Sequence, residues 1–522
     1  MNVEKTLIKS HNNKKIKLIN KILICILTSM FLLVSVLPGI NGNMAIAAEL
    51  DVSQADNFEP EYFKSVMDLI KEKYVGEIND GELIEGALKG MFSVMDPYTS
   101  YFTPEQAEIF FGDVEGTYEG IGVSMEKSGD YIVITKVFPG SSAEKAGILQ
   151  GDRIITVDGN DVSGMMIDEV SSRIKGKAGT KVVIGIVRKG NPNIINIEVA
   201  RSQIQINPVT YEIKNNIGYI KLELFNANAD EFMTKALNEM DKSGINKIIL
   251  DLRDNPGGLV DQCVKIAKNF VPLGLITTLK FKSEDMPDQK YYSDLLRIKY
   301  NLVILVNGNS ASASEILAGA VQDANSGKIV GTKTYGKAKV QSMMPILSPE
   351  AYKKYKETVG ADTVDAYDLI KKYGVNPLND EVIGWSKITT GVYLTPKGRM
   401  IDDIGIEPDV TVEDPQPVNG IYLNAIQKLT CTWKPDLGDE GADVLNAEKI
   451  LAALGYEIDG PDNILDEKSF RAVWKFRVDK GLYPGGVLDF TTQKALNAEF
   501  EKLITIYDKQ YTKAVEILTG NQ

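Results

Sequence analysis

The chain opens on a charged stretch followed by an unbroken apolar one. Lys14, Lys15, Lys17 and Lys21 precede ILICILTSMFLLVSVL (22–37), which carries no charge. Pro38 and Gly39 end the run, and AIA at 45–47 offers the small side chains of a cleavage site, so residues 1–47 read as a signal peptide or, if retained, a membrane anchor. Over 55–116 the apolar positions fall at helical spacing. EYFKSVMDLIKEKY sets Tyr62, Phe63, Val66, Met67, Ile70 and Tyr74 at that spacing, and DPYTS (96–100) predicts a turn before a second short helix. Between 117 and 205 the period drops to two. YIVITKV and VVIGIV are predicted strands, VDGNDV a hairpin turn whose Asp-Gly and Asn supply positive φ, and GSSAEKAGI and DEVSSRIKG short helices. From 206 to 416 strands and helices alternate. IGYIKLEL, KIILDL, NLVILVN and KIVGTK are rich in β-branched residues, while ADEFMTKALNEM, LVDQCVKIAKNF and ASEILAGAVQDA are amphipathic, which predicts an α/β layer with a mostly parallel sheet. EDPQPVNG (413–420) reads as a linker, 438–502 as a small helical unit with turns DGPDN and YPGG, and 503–522 as a terminal helix.

These changes of pattern along 522 residues describe a multidomain α/β chain. Its net charge of −13 argues against nucleic acid as a main partner, and loss of 1–47, with six Lys and one Glu, would deepen it to −18. The single histidine, His11, falls in the export segment. Ser-His-Asp and Cys-His catalysis and any His-liganded zinc are thereby excluded, and no metal or cofactor is expected. Of three cysteines, Cys25 lies in the export segment and Cys263 on the apolar face of a predicted helix; nothing favours a bond between Cys263 and Cys431.

Without histidine, a nucleophile needs another base. VNGNSASASEILAGA (306–320) passes from a strand into a helix and holds Ser310, Ser312 and Ser314. Ser312 and Glu315 match a capping box, so these serines either cap a helix or place one hydroxyl in a field that stabilises an oxyanion. Downstream, Lys337 opens an alternating run that puts Lys337, Lys339 and Gln341 on one face. A solvated lysine, with a pKa of about 10.4, is no base at neutral pH. Burial lowers that value and makes a Ser-Lys pair workable. DLRDNPGG (251–258) links a strand to a helix through adjacent glycines, either as an ordinary tight turn or as a loop that offers backbone N–H groups.

Together YEGIGV (118–123), DLRDNPGG, SASASEILAGA (310–320), YGKAKVQ (335–341) and YLTPKGRMIDDIGIEPD (393–409) resemble the carboxyl-terminal processing peptidases, or tail-specific proteases, over about residues 55–412. FSVMDPYTSYFTPEQ (92–106) is similar to that family's segment before its PDZ domain. The resemblance implies a helical N-terminal unit, a PDZ domain at 117–205 and a crotonase-like α/β serine protease core at 206–416. By position it makes Ser312 the nucleophile, Lys337 the general base, Gln341 the residue that orients the lysine, and the backbone amides of Gly258 and Ala313 the oxyanion donors. Gly120, Ile121, Gly122 and Val123 match the loop that holds a terminal carboxylate; Val123 and Ile148 are either pocket walls or core. Three features depart from the family pattern. Lys175 stands where an arginine is common before the PDZ xGxxGT turn, Ala338 replaces a glycine, and residues 347–386 form a long insert with helical periodicity.

The unit at 438–502 resembles a peptidoglycan-binding domain, with Leu454, Tyr456, Val473, Phe476 and Leu482 read as its core. The expected activity is that of an exported, cell-wall-associated serine endopeptidase acting on proteins with exposed apolar C-termini, as a homodimer. The competing reading is a non-catalytic PDZ and wall-binding scaffold whose protease core is occluded.

Overall fold

The computed structural model describes residues 60–520, apart from 129, 189 and 361–364. The export segment, His11 and Cys25 lie outside the described residues. The chain divides into two units, one ending at Glu85 and one beginning at Gly86. The first contains α1 (Pro60–Lys73), and α2 (Asp80–Ser93) carries the chain into the second. Within the first unit Lys71 pairs with Asp80 at 2.6 Å, and Phe63, Leu69, Ile70 and Tyr74 of the predicted helical stretch are exposed.

In the second unit the predicted turn at 96–100 and the helix after it are both present, with a short strand between them. Ser100–Phe102 is a strand, β1, paired antiparallel with Lys387–Trp385 deep in the protease region. Alternation explains it: Tyr101 turns inward, is buried, and donates its hydroxyl to the Ile383 carbonyl at 2.8 Å. The predicted helix follows as α3 (Pro104–Glu115). Thr103 and Gln106 close a complete capping box at its start, and Gly116 ends it in the left-handed region.

Next come β2 (Thr117–Gly120), β3 (Val123–Ser128), β4 (Tyr131–Val137), α4 (Ser142–Ala146), β5 (Arg153–Val157), β6 (Asn160–Asp161), α5 (Ile167–Ile174), β7 (Lys181–Arg188), β8 (Asn191–Ala200) and β9 (Ser202–Gln205). The antiparallel sheet runs β3-β4-β5-β7-β8, with β6 folded back on β5 through the Asp158-Gly159 turn, and β2 pairs separately with β9. Ile121, Ile132, Ile134, Ile148, Ile154 and Ile184 form its core. Each such fully buried side chain stabilises the domain by roughly 1.5–3 kcal/mol. Ile148 is therefore core, whereas Val123 is only half-buried. β3 lies at the edge of the sheet with α5 packed near it.

The remaining strands are β10 (Val209–Lys214), β11 (Ile217–Leu222), β12 (Lys247–Asp251), β13 (Gly274–Phe281), β14 (Gln289–Ser293), β15 (Asn301–Val306), β16 (Gly327–Gly331), β17 (Lys339–Leu347), β18 (Val382–Leu394) and β19 (Val410–Thr411). Between them lie α6 (Ala229–Lys242), α7 (Val260–Ala267), α8 (Ala313–Asp323), α9 (Pro349–Val359) and α10 (Ala366–Lys372). One sheet, β10-β11-β12-β15-β16-β19, is parallel except at β10. Period-two alternation sorts its side chains. Ile248, Leu250, Ile304 and Val306 pack with α6, α7 and α8, while Ile249, Val303 and Leu305 point the other way. A second sheet, β1-β18-β13-β14 with β17 on β18, is antiparallel; among the predicted strands it has a counterpart only for β17, in the alternating run that Lys337 opens. The insert forms the tip of the β17–β18 hairpin, where α9 and α10 bury a small cluster of Ala351, Tyr355 and Leu369.

The C-terminal region holds α11 (Ala442–Ala453), α12 (Glu467–Asp479), α13 (Phe490–Tyr507) and α14 (Lys509–Thr519). Val473 and Phe476 are buried at its centre, Leu454 and Tyr456 pack at the edge, and Leu482 is half-buried outside the cluster. α14 leaves that cluster. Its Ala514 and Leu518 cover Ile249, Val303 and Leu305, closing the second face of the parallel sheet.

Candidate active site

The strand β15 and the helix α8 meet at Ser312. Its backbone stands at φ 55, ψ −113, a strained conformation for a residue with a Cβ. The strain sets the middle serine apart from its neighbours. Ser310 is fully buried and donates its hydroxyl to the Leu252 carbonyl at 2.8 Å; Ser314 is fully buried and donates to the Asn255 carbonyl at 3.0 Å. Ser312 is half-buried, and its hydroxyl makes no cap bond. Only one half of the predicted capping box forms, with Glu315 Oε2 accepting from the Ser312 N–H at 2.9 Å.

Glu315 does more than cap. Its buried carboxylate also accepts from the Thr334 hydroxyl at 2.6 Å and from the N–H groups of Gly336 (2.8 Å) and Lys337 (2.9 Å). One side chain thus holds the backbones of the serine turn and of the lysine loop. Burial pushes its pKa up against the pull of these donors. Tyr393 joins the same two segments from the sheet side, with its buried hydroxyl 2.6 Å from the Lys337 carbonyl and 3.1 Å from that of Ser312. The match to a capping box pointed to Glu315 only as a cap, and Tyr393 opens the YLTPKGR motif without that motif assigning it a role.

The glycine loop lies against the serine. A Cβ on Gly257 would sit 2.8 Å from Ser312 Cβ and 2.9 Å from the Ala313 nitrogen. Gly257 and Gly258 have φ of 105 and 135, and Asn255 Oδ1 accepts from the Gly257 N–H at 2.8 Å. Among the described residues, neither the Gly258 N–H nor the Ala313 N–H donates to a protein acceptor. Beneath the turn the buried Cys263 thiol donates to the Ala313 carbonyl at 3.1 Å, and burial raises its pKa. Cys263 and Cys431 are both free thiols.

Lys337 is partly buried in the loop before β17. Burial lowers its pKa from 10.5, the like charge of Lys387 lowers it further, and Asp96 and Glu315 pull the other way. Its ammonium lies 4.6 Å from the centroid of the Tyr98 ring and makes no hydrogen bond to Ser312 among the described residues. Tyr98 comes from the DPYTS turn, where Asp96 Oδ1 accepts from the N–H groups of Tyr98 and Thr99. Burial, a bond to Tyr335 and the nearby Asp402 and Asp403 carboxylates push the Tyr98 phenol to about 12.

Gln341 departs from its expected place. A register shift between Val340 and Gln341 breaks the run that would align Lys337, Lys339 and Gln341. Its side-chain amide donates to the Thr389 hydroxyl at 3.3 Å, and no bond joins it to Lys337.

In the domain at 117–205, Gly120 ends β2, and the N–H groups of Ile121 and Gly122 donate to no described acceptor. Gly122 has φ 85 and packs so closely that a Cβ would strike Ser141 Cβ at 2.4 Å. Val123 then opens the edge strand β3. Lys175 sits beside this loop, its ammonium 5.7 Å from the Tyr118 ring centroid. No group of three or more His, Cys, Asp or Glu among the described residues is arranged to hold a metal ion.

Comparison with known proteins agrees with this layout. The pattern of peptidase family S41 matches residues 216–412, that of the PDZ domain 109–187, and that of the activating protease CtpB N-terminal domain 38–106. The chain is 32% identical to the carboxy-terminal processing protease CtpA of Bacillus subtilis over 92% of its own length and 94% of that protein's. It is 30% identical to a probable CtpA-like serine protease of Staphylococcus epidermidis over 98% and 95% of the two chains. Among solved structures, the photosystem II D1 C-terminal processing protease is 28% identical, covering 67% of this chain and 86% of that one, with a TM-score of 0.36.

Proposed function

This chain belongs to the carboxy-terminal processing proteases, serine peptidases of family S41 that carry a PDZ domain, and from that premise we propose that it is an exported endopeptidase working through a Ser312–Lys337 dyad. One observation carries the reading: the strained Ser312, whose hydroxyl is spared from capping, stands between two idle backbone donors. A lysine whose charged form burial disfavours lies in the adjoining loop.

In this scheme Ser312 Oγ adds to a peptide carbonyl while neutral Lys337 Nζ accepts its proton. The Gly258 and Ala313 N–H groups receive the oxyanion, and loss of one such donor costs roughly 3–4 kcal/mol. The ammonium then protonates the leaving amine, and water, with the lysine again as base, releases the acyl group. The dyad closes when the lysine leaves the Tyr98 ring, and Gln341 then exchanges Thr389 for the lysine. The crotonase-like description of the core belongs to the same proposal.

The test is turnover of an unfolded protein such as casein by the full chain. Ser312→Ala and Lys337→Ala are each expected to abolish cleavage with the fold intact; cleavage by either purified variant rejects the dyad. The placement of Lys337 over Tyr98 favours a second reading, a scaffold with an occluded core. Failure of a fluorophosphonate to label Ser312 in the native chain would select it.

The edge of β3 and the Ile121–Gly122 amides are proposed to take an apolar C-terminus as an added strand. Val123→Asp is expected to weaken binding of a peptide with an apolar free C-terminus at least about tenfold, the scale of 1.4 kcal/mol, and to spare an amidated control. The apolar segment at 22–37 and the helical C-terminal unit support work outside the cytoplasm in contact with peptidoglycan. Fractionated cells should therefore hold the chain in the wall or membrane fraction; recovery in the cytoplasm would remove that part.

A further inference from the structure

The loop DLRDNPGG contains an arginine that the reaction scheme leaves without a task. Arg253 lies in a buried ionic cluster completed from the far end of the chain. Its Nε donates to both oxygens of Asp251 (2.9 and 3.0 Å) and its Nη2 to Asp251 Oδ2 (2.6 Å). Its Nη1 donates to both oxygens of Asp508 (3.0 and 2.9 Å) and to Gln510 Oε1 (3.2 Å). Asp251 also accepts from the Tyr219 hydroxyl at 2.7 Å and from the Arg253 N–H at 2.9 Å. Burial is the strongest single influence on both charges and works against them, but the attraction between them, their hydrogen bonds, and the help of Tyr219 for Asp251 and of Asp508 for Arg253 together outweigh it, holding Asp251 below the ordinary carboxylate range and Arg253 protonated.

Asp508 and Gln510 are not loosely attached. Asp508 caps α14 by accepting from the Tyr511 N–H at 2.9 Å. Gln510 is fully buried and donates to the Val412 carbonyl (2.9 Å) and to Asp414 Oδ1 (2.8 Å). The apolar side of α14 seals the sheet that carries β12 and β15, the strands from which the glycine loop and the serine turn leave.

What the cluster fixes is the root of the glycine loop. The Leu252 carbonyl, between Asp251 and Arg253, accepts from Ser310 Oγ (2.8 Å) and from the Asn255 N–H (3.2 Å). Asn255 then holds the Gly257 N–H with its side chain, and its carbonyl accepts from the Ala311 N–H (3.0 Å) and from Ser314 Oγ (3.0 Å). A displacement of Arg253 is thereby passed to the Gly258 amide and to the serine turn together.

We propose that Asp508 is a positioning residue for acyl transfer: through Arg253 it holds the Gly257–Gly258 loop where its amide meets the oxyanion, so that the last helix sets the turnover of a site it does not touch. The proposal rests on the serine-peptidase reading above. It is tested on the full chain with Asp508→Asn, Asp508→Glu and Arg253→Lys. Turnover is normalised to sites titrated by a fluorophosphonate at Ser312, and amide hydrogen exchange is followed over 252–258.

Asparagine keeps the helix cap and the size of the side chain and removes the charge. Asp508→Asn is expected to lower kcat per titrated site about 10- to 100-fold, the scale of a loop displaced by a fraction of an ångström to 1 Å, with KM nearly unchanged and faster exchange in the loop. Asp508→Glu should recover part of the loss, and Arg253→Lys should resemble Asp508→Asn. Unchanged kcat per titrated site in Asp508→Asn, with total activity falling only in step with folded protein, would reduce Asp508 to a structural role and overturn the proposal. If the native chain neither labels at Ser312 nor cleaves, the peptidase reading fails instead. In that event the exchange data decide alone: faster exchange over 252–258 in Asp508→Asn supports the coupling, and unchanged exchange ends it.

Discussion

For the proposed dyad to work, Lys337 has to be a cation poor enough in solvent to lose its proton and close enough to charge to be tuned. Its folded-state pKa lies below 10.5 because burial and Lys387 outweigh the attraction of Asp96 and Glu315. The ion is therefore a cost to the native state, fully present below the folded pKa and lost as the pH climbs toward the unfolded value. In the proposed dyad only the neutral amine serves as base, so activity is expected to have the same sign. We expect kcat/KM to rise with pH and to level off once the lowered pKa is passed. Lys387→Ala removes a like charge and should move that limb to higher pH; a limb that stays in place, or moves to lower pH, would contradict the assignment. At this scale the sequence was informative about residue type and poor about contact. The absence of any histidine beyond the first 47 residues left lysine among the possible bases, yet Tyr98 over the ammonium and Tyr393 beneath both loops lie 239 and 56 residues from it along the chain, joined only by folding.

Among the elements, the parallel sheet was legible because β-branched runs alternate with amphipathic helices, a pattern with few solutions. The antiparallel sheet was not. Its strands are partly exposed and mixed in polarity, as in β17 and β18, so a period of two does not separate an inner face from an outer one. β1 was hidden for a related reason: three residues are too few to show alternation, and its partner lies far along the chain. α1 was legible as a helix, but its spacing says nothing of what covers it. Phe63 (41%), Leu69 (55%), Ile70 (38%) and Tyr74 (56%) are exposed on it. We infer that a second copy covers them, as the family resemblance implies. Phe63→Asp combined with Leu69→Asp should convert a dimer to a monomer in analytical ultracentrifugation, and a native chain that sediments as a monomer at all concentrations would dismiss the idea.

Across the whole molecule, domain borders drawn from composition describe where segments start better than where they are held. The linker at 413–420 is pinned through Asp414 to Thr332 and Gln510. The C-terminal region is tied to the protease core by Lys214–Glu501 and Lys428–Glu212 pairs, and to the PDZ domain by Arg153–Glu440 at 3.0 Å. Most of these side chains are partly exposed, so the ion pairs add little stability individually. The apolar seal under α14 carries more. Ala514→Asp would bury an unpaired carboxylate against Val303 and Leu305, and the protease core is expected to lose about 3–5 kcal/mol in a single denaturant transition. A transition confined to the C-terminal helices, with the core's midpoint unmoved, would show that α14 is only an appendage.

That seal also bears on timing. The strands of the parallel sheet are all made by residue 411, but the surface that shields their second face arrives only with residues 509–519. During synthesis from the N-terminus, or threading across a membrane in that direction, Ile249, Val303 and Leu305 stay wet for about a hundred residues more. A chain interrupted in that interval would hold every strand of the sheet, with Ser312 and Lys337 in place, and still lack a finished core.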